Sequence, residues 1–161
     1  MKLISLAVST AVIAALSTGA FAQLPQSRVL TVDLAQTIAQ EAMAKCRADG
    51  YHVTVLVVDG LNYPKALLRD DGATASTTEV AKMKATSVMV FNRPSGPATP
   101  LPPGQAAPPS NVPGTINAPG GVPIKVGEAT IGAVGVSGAP GGDKDAACAN
   151  AALAKVADKL R

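Results

Sequence analysis

His52 is the only histidine in the chain, and the residues able to do chemistry are few enough to weigh one by one. A single histidine excludes every metal motif built on two. It leaves axial ligation of haem iron open, because that role needs one imidazole only. An ordinary strand-edge position, next to Tyr51, is the commoner place for such a residue. Ser137 stands in Val-Ser-Gly and lacks the Gly-x-Ser-x-Gly spacing of a nucleophile elbow. No acid–base set accompanies it. Gly138-Ala139-Pro140-Gly141-Gly142 leads from a strand into a helix start, where free N–H groups could receive an anion such as a carboxylate or propionate. It matches neither Gly-x-Gly-x-x-Gly nor a phosphate loop ending in Gly-Lys-Ser/Thr, so a plain strand–helix turn is the stronger reading. Arg69, Asp71 and Arg93 complete the polar set that could converge with the Ser137–Gly142 loop on a ligand.

Cys46 and Cys148 are the only cysteines. No Cys-x-x-Cys is present, which argues against a thiol oxidoreductase and a structural zinc site. Each cysteine falls on the apolar row of a helix. In an exported chain such a pair is usually oxidised; two buried free thiols are the alternative. A bridge requires the first and last helices to lie side by side on one face of a sheet.

The elements that must position these residues follow from patterning. Thr31 is placed to cap a helix whose stripe is Ala35, Ile38, Ala42 and Cys46, and Gly50 ends it. His52–Asp59 is a strand, and the unbroken apolar run Val55–Val58 predicts helices on both faces of its sheet. Asp59-Gly60 opens a turn into a return strand, Lys65–Arg69, with Pro64 at a strand start or on an edge. Ser76-Thr77-Thr78-Glu79 fits a capping box for a second helix, which turns Val80, Met83, Val90 and Phe91 to one side and Lys82 outward. Residues 93–123 hold ten of the thirteen prolines. Proline removes backbone donors, so this is a long surface loop, pinned where Val112 or Ile116 can bury.

Gly120–Asp145 then supplies a hairpin and a helix start. Its strands are Val122–Val126 and Ala129–Val136, and Gly132 and Gly135 mark a close approach by a packed helix or a ligand. Asp143 is placed to cap the last helix, with Cys148, Ala152, Val156 and Leu160 in a core-facing row.

Lys2, the apolar run Leu3–Leu16 and Ala20-Phe21-Ala22 form a secretory signal peptide over residues 1–22, which predicts an exported, periplasmic or secreted protein. Residues 23–161 then form a single domain, with 93–119 as its Pro-rich loop. No other apolar run is long enough to span a membrane. Lys2 leaves with the leader, and 13 basic against 11 acidic residues remain, scattered and without a basic run. Nucleic-acid binding, which needs a clustered basic surface, is set aside.

Several stretches carry a family resemblance. They are Leu30-Thr31, Val57-Val58-Asp59, Arg69 with Asp71-Gly72, Phe91 with Arg93-Pro94, Gly120-Gly121-Val122-Pro123-Ile124, Ile131–Ala139, and Asp143 and Asp145 ahead of Cys148-Ala149. With them the chain resembles the HbpS/GlcG-type haem-binding family over about residues 30–160, and it is similar to the C-terminal domain of PduO-type corrinoid adenosyltransferases.

The resemblance implies an α+β, profilin-like three-layer α/β/α domain around an antiparallel sheet of about five strands. The order is helix, hairpin, helix, long loop, hairpin, helix. It implies that the first and last helices share a face, which supports a Cys46–Cys148 disulfide. It also implies homo-oligomers and the binding of haem or a related tetrapyrrole. The function expected is a non-catalytic binding module; the alternatives are an enzyme of small-molecule or haem breakdown and an oligomeric sensor-partner protein. The chain departs from the family at Gly60-Leu61-Asn62-Tyr63-Pro64, where a Gly-Gly hairpin tip is usual, and in the proline content of its long loop. The resemblance places no iron ligand on a matching position, so His52 is a candidate on chemical grounds alone.

Overall fold

The structure is a computed structural model that describes residues 28–97 and 112–161. The expected signal peptide and the middle of the Pro-rich loop lie outside the described residues.

Helix α1 (Val32–Ala48) starts as the sequence predicts, with the Leu34 N–H donating to Thr31 Oγ1 at 3.3 Å. Its buried stripe contains Ala35, Ile38, Ala42 and Cys46. Gly50, at φ +81°, ends it. The Tyr51 N–H then donates back to Cys46 O at 2.9 Å and the Gly50 N–H to Arg47 O at 3.0 Å, which satisfies the last carbonyls of the helix.

Strands β1 (Thr54–Asp59), β2 (Pro64–Arg69), β3 (Gly121–Val126) and β4 (Ala129–Ser137) form one antiparallel sheet in the order β2-β1-β4-β3. The sheet has four strands among the described residues, not about five. The four strand segments expected from the sequence are all used, and residues 28–31 enter α1 without pairing. Pro64 and Pro123 both lie on edge strands, where a missing N–H costs no interior ladder bond.

The double burial expected of β1 is observed. Val55 and Val57 join the core under α1 and the last helix, α3 (Gly142–Lys155). Leu56 and Val58 pack beneath α2 (Ser76–Phe91) on the other face. Sheet and helices therefore form three layers.

The α2 face differs from the expected one. Its buried residues are Thr77, Ala81, Lys84, Ala85, Ser87 and Val88. Val90 is exposed, and Val80, Met83 and Phe91 are only half-buried. The cause lies in the sheet. A Cβ on Gly135 would meet the Ala81 carbonyl oxygen, and one on Gly121 would meet that of Lys84. The helix backbone rests directly on these glycines, so the residues at the contact itself are small, Ala81 and Ala85. The larger ones move to the flanks. Gly135 thus serves helix packing.

The capping box does not form. Ser76 is already helical, Ala75 before it has φ −59° and ψ −36°, and no side chain caps that end. Thr77 takes over locally, donating to Thr74 O at 2.6 Å and sharing a hydrogen bond of 2.7 Å with the Thr54 hydroxyl of β1. Asp143 is not the α3 cap either; Gly141 holds that position and Asp143 sits in the first turn. Asp145 instead accepts from the Ala139 N–H at 3.0 Å and so ties down the preceding loop.

Cys46 and Cys148 are joined in a disulfide with 5.6 Å between their Cα atoms, fastening α1 to α3. The ends of the long loop are held by serines. The Ser87 hydroxyl accepts from the Ile116 N–H at 2.8 Å, and the Ser95 hydroxyl accepts from the Gly121 N–H at 2.7 Å and donates to Ala118 O at 2.7 Å. Val112 and Ile116 are half-buried there, the anchoring expected of them.

Candidate functional site

Apart from Arg93, the polar residues singled out in the sequence gather at one end of the sheet, where β1 begins and β2 and β4 end. Thr54 pairs with Arg69 on one side and with Ser137 on the other. His52 lies two residues before Thr54, ahead of the strand rather than in it.

The centre of this cluster is Asp70, a residue whose local pattern reads only as part of a turn. Asp70 is buried, and its N–H donates to Val53 O at 3.0 Å. Its carboxylate receives the fork of Arg47: Nη2 donates to Oδ1 at 2.8 Å and Nε to Oδ2 at 3.1 Å. The Asp71 N–H donates to Oδ1 at 2.9 Å. His52 Nδ1 lies 3.1 Å from Oδ2. The Arg47 guanidinium holds the Asp70 carboxyl well below the usual carboxylate range, with the His52 and Asp71 bonds assisting against the opposing cost of burial.

An ionised carboxylate only accepts hydrogen bonds. In neutral His52 the proton must therefore sit on Nδ1, which leaves the Nε2 lone pair free. The His52 side chain is 63% exposed. Its ring lies on the backbone of Gly72, where a Cβ would come within 2.6 Å of the ring Cγ. Gly138, with φ +134°, lets the end of β4 pass beside the His52 carbonyl and Val53 Cα in the same way. One flank of the imidazole is thus packed, one nitrogen is tied, and the other nitrogen is presented outward.

The other predicted residues divide. Arg69 donates from Nη1 to Ala73 O at 2.6 Å, bracing the turn that carries Asp70 and Gly72. Asp71 contributes its backbone N–H, and its side chain is exposed. Ser137 is buried beside Thr54, a wall position rather than an open nucleophile. Arg93 belongs elsewhere. It lies over the Phe91 ring at 5.8 Å and donates to Gly96 O at 2.8 Å, closing the exit of α2.

Arg47 is legible in the sequence only as a residue off the apolar stripe of α1. Its place in the last helical turn, directly before the Gly50 stop, is the available signal that it overhangs the next strand. Arg47 and Arg69 also rim an open groove of about 300 Å³ with Met43 and Leu68 among its apolar walls. Larger open grooves, of about 390 and 600 Å³, lie around Arg28, Val126, Ile131 and Arg161. Among the described residues no group of three or more His, Cys, Asp or Glu side chains is placed to hold a bare metal ion.

A second polar centre lies inside the domain. Lys84 and Asp145 are both buried and 2.7 Å apart, and Lys84 Nζ also donates to Val136 O at 3.0 Å. Burial pushes the Asp145 carboxyl up, while Lys84 and the Ala139 N–H oppose the rise.

Comparison with known proteins places the chain by family and fold. The profile of the family described as "Haem degrading protein HbpS-like" matches residues 30–154. A crystal structure of HbpS is similar at 33% identity and a TM-score of 0.71, covering 83% of this chain and 94% of that one. A double mutant of Streptomyces reticuli HbpS matches at 30% identity and a TM-score of 0.71, covering 92% and 98%. The crystal structure of a PduOC:heme complex shares the fold at 21% identity and a TM-score of 0.69, covering 79% and 94%. No curated protein matches the chain. The chain belongs to the HbpS-like family.

Proposed function

We propose that the protein is an exported haem-binding module in which His52 supplies an axial ligand through Nε2. The observation that carries this reading is the pairing of His52 Nδ1 with the ionised Asp70, since ligating histidines generally donate their other N–H to a carboxylate or carbonyl. Haem would supply an iron centre able to accept a nitrogen ligand, which His52 would provide. The residues present fit that group. An exposed imidazole is available and its ring lies over the Gly72 backbone; Arg47, which holds Asp70 beside His52, shares with Arg69 the rim of a partly apolar groove where cations could meet propionates, although His52 itself does not line that groove. The description of the family and the similarity to HbpS support haem as the ligand.

Titration of the purified protein with hemin tests the reading. A saturable Soret shift near one equivalent is expected, and non-saturating adsorption would overturn it. His52→Ala should change the spectrum of the complex; an unchanged spectrum removes His52 as ligand. Export is the expectation set by residues 1–22 and is checked by fractionating cells that express the full chain. Assembly into homo-oligomers belongs to the same reading, and a strictly monomeric species by light scattering would count against it.

The family's description as haem-degrading favours a second reading, in which the protein turns haem over. Incubating the hemin complex with a reductant in air separates the two. Stoichiometric loss of the Soret band with release of a ring-opened product supports turnover, and a stable band supports the binding module.

A further inference from the structure

We infer that Asp70, clamped by Arg47, is a positioning residue that fixes His52 as the Nδ1–H tautomer and makes Nε2 a strong donor, so that the site favours ferric over ferrous haem. The inference rests on the reading of His52 as ligand and adds two residues and a redox preference to it. It begins with what holds Asp70 still. Its carboxylate meets both nitrogens of the Arg47 fork and the Asp71 N–H, and its own backbone N–H is bound to Val53 O. A carboxylate held by three hydrogen bonds, on a main chain that is itself tied, cannot follow the imidazole. The imidazole must come to it.

The second step is the ring itself. His52 cannot slide toward Gly72, because its ring atoms already lie where a Cβ at that position would be. Rotation about the Cα–Cβ or the Cβ–Cγ bond would break the 3.1 Å contact with Asp70 Oδ2. While that contact holds, the imidazole presents Nε2 in one direction, with Nδ1 taken up by the carboxylate. A carboxylate on Nδ1–H raises the basicity of the other nitrogen. A more basic axial ligand stabilises the higher charge of Fe(III), and such outer hydrogen bonding is among the means by which proteins set haem potentials.

Arg47 has a stated part in this. Without it, the Asp70 carboxyl would be buried with the imidazole as its only side-chain partner. Its two oxygens would lose the fork that fixes their orientation, and its hold on Nδ1–H would loosen. Lysine at position 47 keeps the charge but not the two-pronged contact.

The test has two arms. The first uses the haem-free full chain and reads the two ring nitrogens of His52 by ¹⁵N NMR at about pH 8, where an ordinary imidazole is neutral. The Nδ1–H form should dominate in the wild-type protein, and the Nε2–H form should gain population in Asp70→Asn. A wild-type ring already in the Nε2–H form overturns the proposal. The second arm measures the midpoint potential and hemin affinity of the complexes. Asp70→Asn should raise the potential and weaken hemin binding by about 10- to 100-fold. An unchanged potential with the ligand spectrum retained overturns the redox claim. Arg47→Lys provides the milder variant should Asp70→Asn fail to fold; it should move both readouts the same way by less, and no movement in either overturns the role of the clamp. If His52→Ala leaves the hemin spectrum unaltered, the ligand assignment fails, and the tautomer measurement still decides independently whether Asp70 orients the ring.

Discussion

Lys84 Nζ and Asp145 Oδ2 lie 2.7 Å apart although their helices cover opposite faces of the sheet. The two side chains meet beyond the start of β3, where a Cβ on Gly120 would contact both Lys84 Nζ and Asp145 Cβ. Lys84 also holds the Val136 carbonyl at the end of β4. One buried ammonium thus joins the helix on one face, the end of the central hairpin and the start of the helix on the other face. Lys84→Met should be strongly destabilising, by about 3–5 kcal/mol, because it leaves the Asp145 carboxylate buried and uncompensated. Lys84→Met with Asp145→Leu should recover part of that loss, since two apolar side chains leave no orphan charge. Urea unfolding of the two single variants and the double variant measures the coupling. Additive single effects would show that the pair is not energetically linked.

The disulfide joins the same last helix to the first. Both cysteines are fully buried, and the bridge closes a loop with a sequence separation of 102. A loop of this size places the chain-entropy contribution near the upper end of the usual range, about 4–5 kcal/mol, with measured effects commonly smaller. Cys46→Ser with Cys148→Ser should therefore lower stability by about 2–5 kcal/mol. Native protein should resist reductant until it unfolds. Mass spectrometry after alkylation without denaturant checks this, and two rapidly modified thiols would contradict the buried bridge.

Much of this organisation is legible in the sequence, and the departures share a cause. The α1 stripe, the Gly50 stop and the two-sided burial of β1 depend on local spacing, and the structure has them. Apolar size is a poor guide to burial on α2. There the controlling fact is non-local: Gly121 and Gly135 of the sheet admit the helix so closely that Ala81 and Ala85 are inside and Val90 is not. The same distance hides the role of Lys84, whose partner is 61 residues away. The site is half visible. His52 stands out by its chemistry. Asp70 and Arg47 do not, because what matters is their meeting across 23 residues at the end of a sheet.

Gly135→Ala follows from that packing. The added methyl would meet the Ala81 carbonyl oxygen and crowd the Ala85 N–H at 3.0 Å, and backbone cannot give way as a flexible side chain can. The helix must lift from β4, exposing part of the layer formed by Leu56, Val58 and Val88. A loss of about 1–3 kcal/mol is expected, the usual cost of overfilling a close-packed core. Gly127→Ala is a useful contrast at the β3–β4 turn. No atom stands near a Cβ there, and its cost comes from the φ of +59° alone. Thermal unfolding of the two variants should show the larger fall for Gly135→Ala together with a changed near-ultraviolet dichroism; equal falls would remove the helix-lifting account.

The acid limb of the stability curve should report on Asp70. Its carboxyl is depressed in the folded protein, chiefly by the Arg47 fork, and returns to an ordinary value of about 3.9 on unfolding. Between those two values the unfolded chain binds more protons than the native one, so stability rises with pH. The contribution of this carboxylate is complete above the unfolded value and is lost as pH falls below it. Asp70→Asn removes the titrating group and should flatten the fall in stability below about pH 4 while lowering stability at neutral pH. Arg47→Ala should also flatten it, because the shift depends on the guanidinium. Urea midpoints measured from neutral to acid pH on the haem-free protein decide the point. An acid limb as steep in both variants as in the wild-type protein would mean that other carboxylates carry the acid sensitivity, and that the Arg47–Asp70 contact orients His52 without adding to the stability of the fold.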